Sequence, residues 1–155
     1  MPEPRSIHYW EKGHFAIRTD PAAIDFEAVA AFLSTAPWAS GLPREAMDRA
    51  LRNSLCFSLF EEDRQIGLAR VISDFATYAY LCDVYIVESR RRRGLGEWLV
   101  RCVLEHPDIS CLKRIALITH DAQDFYRPLG FRSVAPDQYM ERLVPAWNPT
   151  LQPST

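Results

Sequence analysis

The spacing of apolar and polar residues changes several times along this chain, and each change marks the start of a predicted element. β-Branched and aromatic residues dominate several short runs, a composition typical of strands. Between them, apolar residues recur three or four positions apart, which is the spacing of an amphipathic helix. We predict strands at residues 14–19, 55–60, 65–73 and 77–87, and helices after Asp20 or Asp25 and from Pro43 to about Arg52. This mixed order, with no internal repeat, favours one domain of α/β type.

The run at residues 77–87 leads into the most informative part of the chain. Its only charged residue is Asp83, so the pattern indicates a central strand that is buried on both faces. A helix pattern begins eight residues after this run. Its apolar positions are Leu95, Trp98, Leu99, Cys102 and Val103. A basic, glycine-containing segment at residues 91–96 therefore connects a strand to a helix.

Segment 91–96, which reads Arg-Arg-Arg-Gly-Leu-Gly, has the chemistry of an anion site. Glycine lets the main chain approach a ligand closely, and the first N–H groups of a helix lack intrahelical partners and lie at its positive end. Pyrophosphate is the favoured anion. A P-loop needs Lys and then Ser or Thr where Glu97 and Trp98 stand, and the dinucleotide fingerprint needs a third glycine where Leu99 stands. Both of these nucleotide motifs are therefore excluded.

A second motif follows a short predicted strand at residues 115–119. Residues 121–131 read Asp-Ala-Gln-Asp-Phe-Tyr-Arg-Pro-Leu-Gly-Phe. Taken with Arg91, Gly94 and Gly96, this order and spacing resemble the GNAT superfamily of acyl-CoA-dependent N-acyltransferases. The resemblance covers about residues 14–143.

The resemblance implies a fold and a set of site residues. The fold is a single domain over residues 1–144, with a central mixed, mostly antiparallel sheet of about six to seven strands flanked by about four helices. The cosubstrate is acetyl-CoA, and a main-chain N–H group at Ile86 or Val87 polarises its thioester carbonyl. Tyr126 protonates the departing thiolate. The pyrophosphate is held by Arg91, Arg92, Arg93, Gly94, Leu95 and Gly96.

The function implied is transfer of an acetyl group to a primary amine of a small molecule or peptide, by direct attack in a ternary complex. The alternative is a non-catalytic acyl-CoA-binding regulatory module. Asp83 has two interpretations of its own. It is the leading candidate for deprotonating the amine, directly or through water, because a lone carboxylate in a central strand is costly to bury without a purpose. It equally fits an acceptor of hydrogen bonds from the loops that cover the strand.

The composition limits the classes of binding partner and the cellular location that we expect. The 155 residues carry a net charge of −2, which gives no general attraction to nucleic acid or to anionic membranes. Four arginines at residues 90–93, without interleaved aromatics, favour phosphate over nucleic acid. Four cysteines lack metal-type spacing and the histidines are scattered, so we expect reduced thiols, no metal and a cytoplasmic protein.

Two further predictions concern the end of the chain and the segments that bind the acceptor. We predict a closing hairpin of strands at residues 131–135 and 139–144, a Pro-rich tail at residues 145–155, and a possible homodimer. By the resemblance, the acceptor lies near residues 34–44 and the turn at residues 74–77. Trp38, Phe75 and Tyr78 there indicate an apolar or aromatic acceptor.

Overall fold

The computed structural model describes residues 3–39 and 41–144, and in this range it contains one six-stranded sheet and five α-helices. The strands are β1 Tyr9–Lys12, β2 Phe15–Arg18, β3 Leu55–Glu61, β4 Arg64–Ser73, β5 Tyr78–Ile86 and β6 Arg114–Ala116. The helices are α1 Phe26–Leu33, α2 Arg44–Arg52, α3 Leu95–Glu105, α4 Pro107–Ser110 and α5 Gln123–Tyr126. The mixed α/β domain and its mostly antiparallel sheet confirm the predicted fold class.

The strands lie side by side in chain order, from β1 to β6. The first five strands pair antiparallel, whereas β6 runs parallel to β5 because α3 carries the chain back along the sheet. The β5–β6 pairing ends at Tyr80 and Ala116. Beyond Tyr80, the outer edge of β5 therefore has no strand partner among the described residues, and the sheet opens there.

Helix boundaries follow from local chemistry. The Asp25 carboxylate accepts a hydrogen bond from the Ala28 N–H group at 3.0 Å and so caps α1. Pro43 precedes α2, where its fixed φ suits a helix start. Of the predicted apolar stripe of α3, Leu95, Leu99, Cys102 and Val103 are buried and Trp98 is half-buried. The apolar face of α3 thus packs against the sheet next to the segment that joins β5 to α3.

Two apolar clusters form the core. One joins α3 to the sheet around Phe57, Leu59 and Val71, and the other joins α1 and α2 to the sheet around Leu68 and Tyr85. Within the described residues, no helix combines the length and apolar character needed to cross a bilayer.

The predicted closing hairpin is wrong. Residues 131–135 and 139–144 form no strand, and a single 3-10 turn, Pro136–Gln138, lies between them. Val134, Met140 and Leu143 are 64%, 90% and 76% exposed. Both segments are rich in apolar residues but lack the strict alternation of a half-buried strand, and the edge strand β6 is only three residues long and offers little to pair with. The predicted tail at residues 145–155 lies outside the described residues.

Shorter elements also differ from the prediction. Strand β1 and helix α4 were not predicted, and the strand expected at residues 115–119 shortens to Arg114–Ala116. β1 is a four-residue edge strand with mostly exposed residues, so it lacks the apolar run that marks a buried strand.

Gly67 in β4 sets the distance between β4 and β5. A Cβ atom at residue 67 would lie 2.8 Å from the Tyr85 carbonyl oxygen and 3.2 Å from the Leu59 side chain. Because the first of these atoms belongs to the main chain, Gly67→Ala must displace β5. We expect a loss of about 1–3 kcal/mol in the free energy of unfolding, measured by urea denaturation.

Gly96→Ala is the matched control for that substitution. Its Cβ atom would meet the Phe125 ring at 3.5 Å and the Ile86 side chain at 3.8 Å, both ordinary contact distances. We therefore expect its unfolding free energy to stay within about 1 kcal/mol of the unmodified protein. Equal losses in the two variants would contradict the steric argument.

His106 is fully buried between α3 and α4 and makes stability depend on pH. Its Nδ1 atom accepts a hydrogen bond from the Asp108 N–H group at 3.1 Å, and its Nε2 atom has no partner among the described residues. Burial lowers its pKa, and His8, whose ring centroid is 4.4 Å away, lowers it further. The unfolded chain therefore takes up this proton more readily than the folded one.

We expect this contribution to stability to be complete above about pH 6.5 and to fall with pH below it, by at most about 1.4 kcal/mol per pH unit. Urea denaturation between pH 5 and 7.5 measures this slope. His106→Gln should flatten it, whereas His120→Gln, at an exposed position, should leave it unchanged. An unaltered slope in His106→Gln would assign the pH dependence to other groups.

Candidate functional site

The site forms where β5 leaves the sheet and the chain turns into α3. A β-bulge shifts the β4–β5 register between Leu68 and Arg70, and opposite it Asp83 adopts a positive φ of 49°. Such a backbone is strained in a non-glycine residue and often accompanies function. The bulge lies three residues before the end of β5, along the part of the strand whose outer edge has no described strand partner.

The two main-chain N–H groups predicted to face a thioester have different surroundings. The Val87 N–H group donates to the Ile66 carbonyl oxygen at 2.8 Å and is therefore engaged within the sheet. Ile86 is paired with Gly67, and hydrogen bonding alternates along an antiparallel strand, so its N–H group points to the other edge. That edge is the one without a strand partner, which favours Ile86 over Val87 as the donor.

The segment from residue 88 to residue 96 forms a concave turn of main chain. A 3-10 turn, Glu88–Arg90, is followed by Arg92 with φ 63° and Gly94 with φ 74°. Gly94 precedes α3 without any side-chain cap, and the first helical bond runs from the Trp98 N–H group to the Gly94 carbonyl oxygen. The N–H groups of Leu95, Gly96 and Glu97 consequently lie free at the positive end of α3, as an anion site requires.

The four arginines of this segment divide into two pairs. Arg90 forms a two-pronged ion pair with Glu61 at the end of β3, with Nη2 to Oε1 at 3.2 Å, and Arg91 donates from Nε to the Ile86 carbonyl oxygen at 2.9 Å. Both fix the segment to the sheet. Arg92 and Arg93 are exposed and form no ion pair within residues 3–39 and 41–144. Their guanidinium groups are therefore available to phosphate oxygens.

Asp83 accepts a hydrogen bond on each carboxylate oxygen. The Trp38 indole donates from Nε1 to Oδ1 at 2.8 Å, and Arg70 on β4 donates from Nε to Oδ2 at 2.7 Å. The side chains of Asp83 and Arg70 are only 13% and 16% exposed, and Arg70 also donates to the Ser54 hydroxyl at 3.1 Å. Asp83 thus ties the loop after α1 to the centre of the sheet.

Tyr126 ends α5 and packs edge-on between two aromatic rings. Its ring centroid lies 4.9 Å from that of Phe125 and 5.5 Å from that of Phe131. Burial raises the pKa of the Tyr126 hydroxyl, so the phenol is protonated at neutral pH. Phe125 in turn lies beside Gly96, which brings α5 close to the first turn of α3.

An open cleft of about 370 Å³ lies between the loop after α1 and the segment that follows β5. It is lined by Phe32, Thr35, Ala36, Pro37, Trp38, Glu88 and Arg91. The cleft therefore joins the signature arginine Arg91 to Trp38, the residue that holds Asp83.

Three of the four cysteines are poor nucleophiles because their side chains are partly or fully buried. Burial raises the pKa of Cys56, Cys82 and Cys102 to about 12, so these thiols stay protonated at neutral pH. No cluster of three or more potential metal ligands occurs in the described part of the chain.

Sequence reasoning missed three residues that shape this site: Arg70, Glu61 and Glu88. Arg70 could have been noticed, because it is an isolated charge in a predicted strand, as is Asp83 in the next one. The partner of Glu61 lies 29 residues away along the chain, and the pattern carries no signal for such a pair.

Comparisons with known proteins agree on one family. The model of the acetyltransferase (GNAT) family matches residues 23–131. An inferred acetyltransferase of Gibberella zeae, FG08082, is 33% identical over 79% of this chain and 82% of its own. The crystal structure of an inferred GNAT-family acetyltransferase from Xanthomonas campestris is 40% identical over 85% of this chain and 94% of its own, with a TM-score of 0.81.

A more distant structure shares the fold alone. N-acetylglutamate synthase from Neisseria gonorrhoeae, solved with coenzyme A and N-acetyl-glutamate, is 14% identical, with a TM-score of 0.68. The match covers 83% of this chain and 31% of that protein.

Proposed function

The chain belongs to the acetyltransferase (GNAT) family, and on that premise we propose that it transfers an acetyl group from acetyl-CoA to a primary amine of a small molecule or peptide. The observation that carries the proposal is the continuous path from the open edge of β5 to the free N–H groups of α3. Such a path suits a long ligand with a thioester at one end and a pyrophosphate nearby.

The segment 91–96 is proposed to hold the pyrophosphate. N–H groups of Leu95 and Gly96 donate to its oxygens, and Arg92 and Arg93 supply positive charge to these or to the 3′-phosphate. Arg90 and Arg91 act differently, because their bonds to Glu61 and to the Ile86 carbonyl keep the segment in its concave shape. The site is therefore rigid before the ligand arrives, which lowers the cost of binding.

The Ile86 N–H group is proposed to stabilise the charge that develops on the acetyl carbonyl oxygen. Bound acetyl-CoA supplies the activated acyl group as a thioester. The amine nitrogen forms a bond to the carbonyl carbon, and the carbon–sulfur bond breaks. The Tyr126 hydroxyl gives its proton to the departing thiolate sulfur.

Asp83 is proposed to take the proton of the attacking amine through a water molecule. Each carboxylate oxygen keeps a lone pair beyond the one that accepts from Trp38 or Arg70, so a water can still bind. Its second role, as the acceptor that ties the loop after α1 to the sheet, has direct support in these two bonds.

The experiment that tests the proposed function follows the release of free CoA thiol from acetyl-CoA in the presence of primary amines. Transfer predicts that thiol appears only when an amine is added and that an N-acetylated product forms in equal amount. The alternative, a non-catalytic acyl-CoA-binding module, predicts binding of acetyl-CoA with no amine-dependent release.

A homodimer and a cytoplasmic location stay predictions. The exposed apolar side chains of Val134, Tyr139, Met140 and Leu143 support association of two copies.

A further inference from the structure

We propose that the cleft beside Trp38 selects a primary amine with an aromatic body, whose ammonium group pairs with Glu88. The inference rests on the proposed function and names the class of acceptor for that same site.

The apolar side of the cleft is preorganised for a flat ring. Phe32 stacks on the buried Tyr85 with centroids 3.8 Å apart and planes 5° from parallel, so its ring cannot rotate freely. Trp38 is 58% exposed, yet its indole nitrogen is fixed by the bond to Asp83. A large aromatic side chain that is both exposed and held in place offers contact area with little loss of side-chain entropy on binding.

The charged side of the cleft favours a cation. Glu88 is exposed and has no ion-pair partner within the described ranges, so its carboxylate can accept from an ammonium group. Arg91, the one cation that lines the cleft, donates from Nε to the Ile86 carbonyl oxygen and lies in the segment proposed to hold pyrophosphate. Arg91 keeps its positive charge, which under the proposed function faces the pyrophosphate of bound acetyl-CoA, so the charge of the cleft left to the acceptor is that of Glu88.

The size of the cleft agrees with a small acceptor. A volume of about 370 Å³ lies at the lower end of the range for small-molecule sites. Aromatic walls, one carboxylate and this volume together fit a single ring on a short aminoalkyl chain. An acceptor that carries a phosphate group would place its negative charge near Glu88 and is disfavoured.

The test compares kcat/KM for three amines at saturating acetyl-CoA: 2-phenylethylamine, ethylamine and glucosamine 6-phosphate. We expect 2-phenylethylamine to exceed ethylamine by at least about tenfold, because the ring adds several apolar groups to the contact. Trp38→Ala should lower kcat/KM for 2-phenylethylamine by about tenfold or more and that for ethylamine much less. Trp38→Phe, which keeps a ring but loses the bond to Asp83, should lie between.

Glu88→Gln tests the charge, and Glu105→Gln, an exposed acid on α3, is its matched control. We expect Glu88→Gln to raise KM for both alkylamines without changing the affinity for acetyl-CoA measured by calorimetry, and Glu105→Gln to change neither. A preference for ethylamine or glucosamine 6-phosphate, or equal losses for all amines in Trp38→Ala, would overturn the inference and leave the proposed function standing. Acetylation of no amine despite tight acetyl-CoA binding would overturn both.

Discussion

Tyr126→Phe is expected to lower kcat about 100-fold while leaving the affinity for acetyl-CoA unchanged. A positioned general acid contributes about 10²–10⁴ to a rate, and the substitution removes only the hydroxyl that would supply the proton. The Phe ring keeps the edge-on contacts with Phe125 and Phe131, so α5 should stay in place. The measurement is thiol release with the amine that the unmodified protein acetylates fastest, together with calorimetry of acetyl-CoA binding.

The pH dependence of the rate separates this role from a structural one. Because burial raises the pKa of Tyr126, the unmodified protein should lose activity through this group only as pH rises above the ordinary tyrosine value of about 10. In Tyr126→Phe that alkaline decline should be absent. Tyr139→Phe, an exposed tyrosine whose hydroxyl donates only to Glu141, is the matched control and should behave as the unmodified protein does. Unchanged turnover in Tyr126→Phe would remove Tyr126 as the acid.

The centre of the fold could be predicted from the sequence because its patterns are long. The nine residues of β5 lie in a run of β-branched and aromatic residues with one charge, and the eleven of α3 follow a helical periodicity. The predicted burial on both faces of β5 was wrong, because Tyr80, Cys82 and Val84 are only half-buried. The same local information predicts an anion site at residues 91–96. Local pattern and final structure agree where the element is long and buried.

The remainder could not be predicted, because it depends on partners far along the chain. β1 is stabilised by pairing with β2, while its own residues are mostly exposed. Residues 131–135 and 139–144 contain apolar residues of the kind found in strands, yet a strand forms only where another edge is available. The sequence pattern alone therefore predicted a closing hairpin that does not form, and it did not predict the edge strand β1.

The roles of the charged side chains in the site also depend on contacts that the fold creates. The sequence does not show which of the four consecutive arginines have partners, and only the fold brings Glu61 to Arg90 and the Ile86 carbonyl to Arg91. Likewise, Trp38 and Asp83 are 45 residues apart before the indole meets the carboxylate. Because of these contacts, Arg90 and Arg91 fix the segment to the sheet while Arg92 and Arg93 stay without an ion pair among the described residues. Asp83, an isolated acid in the sequence, holds the loop after α1.

Gly96→Glu is expected to abolish the stabilisation that acetyl-CoA gives to the folded protein. At about 100 times its dissociation constant, the ligand should add roughly 2.7 kcal/mol, which corresponds to a melting shift of about 5–10 °C for a chain of this size. A carboxylate in the first turn of α3 competes with the pyrophosphate for the free N–H groups and repels it. The same carboxylate interacts favourably with the positive end of the helix, so the variant should still fold.

Two further substitutions at residue 96 separate the effect of side-chain charge on acetyl-CoA binding from the effect of side-chain size. Gly96→Ala adds a Cβ atom that meets the Phe125 ring at 3.5 Å and Ile86 at 3.8 Å, both ordinary contacts, so the melting shift should persist. Gly96→Gln has the size of Glu without its charge, and any shift that it retains measures the electrostatic share of the loss. If Gly96→Glu keeps the full shift in a thermal melt with millimolar acetyl-CoA, the pyrophosphate does not bind at the start of α3. The proposed path of the cosubstrate from α3 to Ile86 would then be wrong.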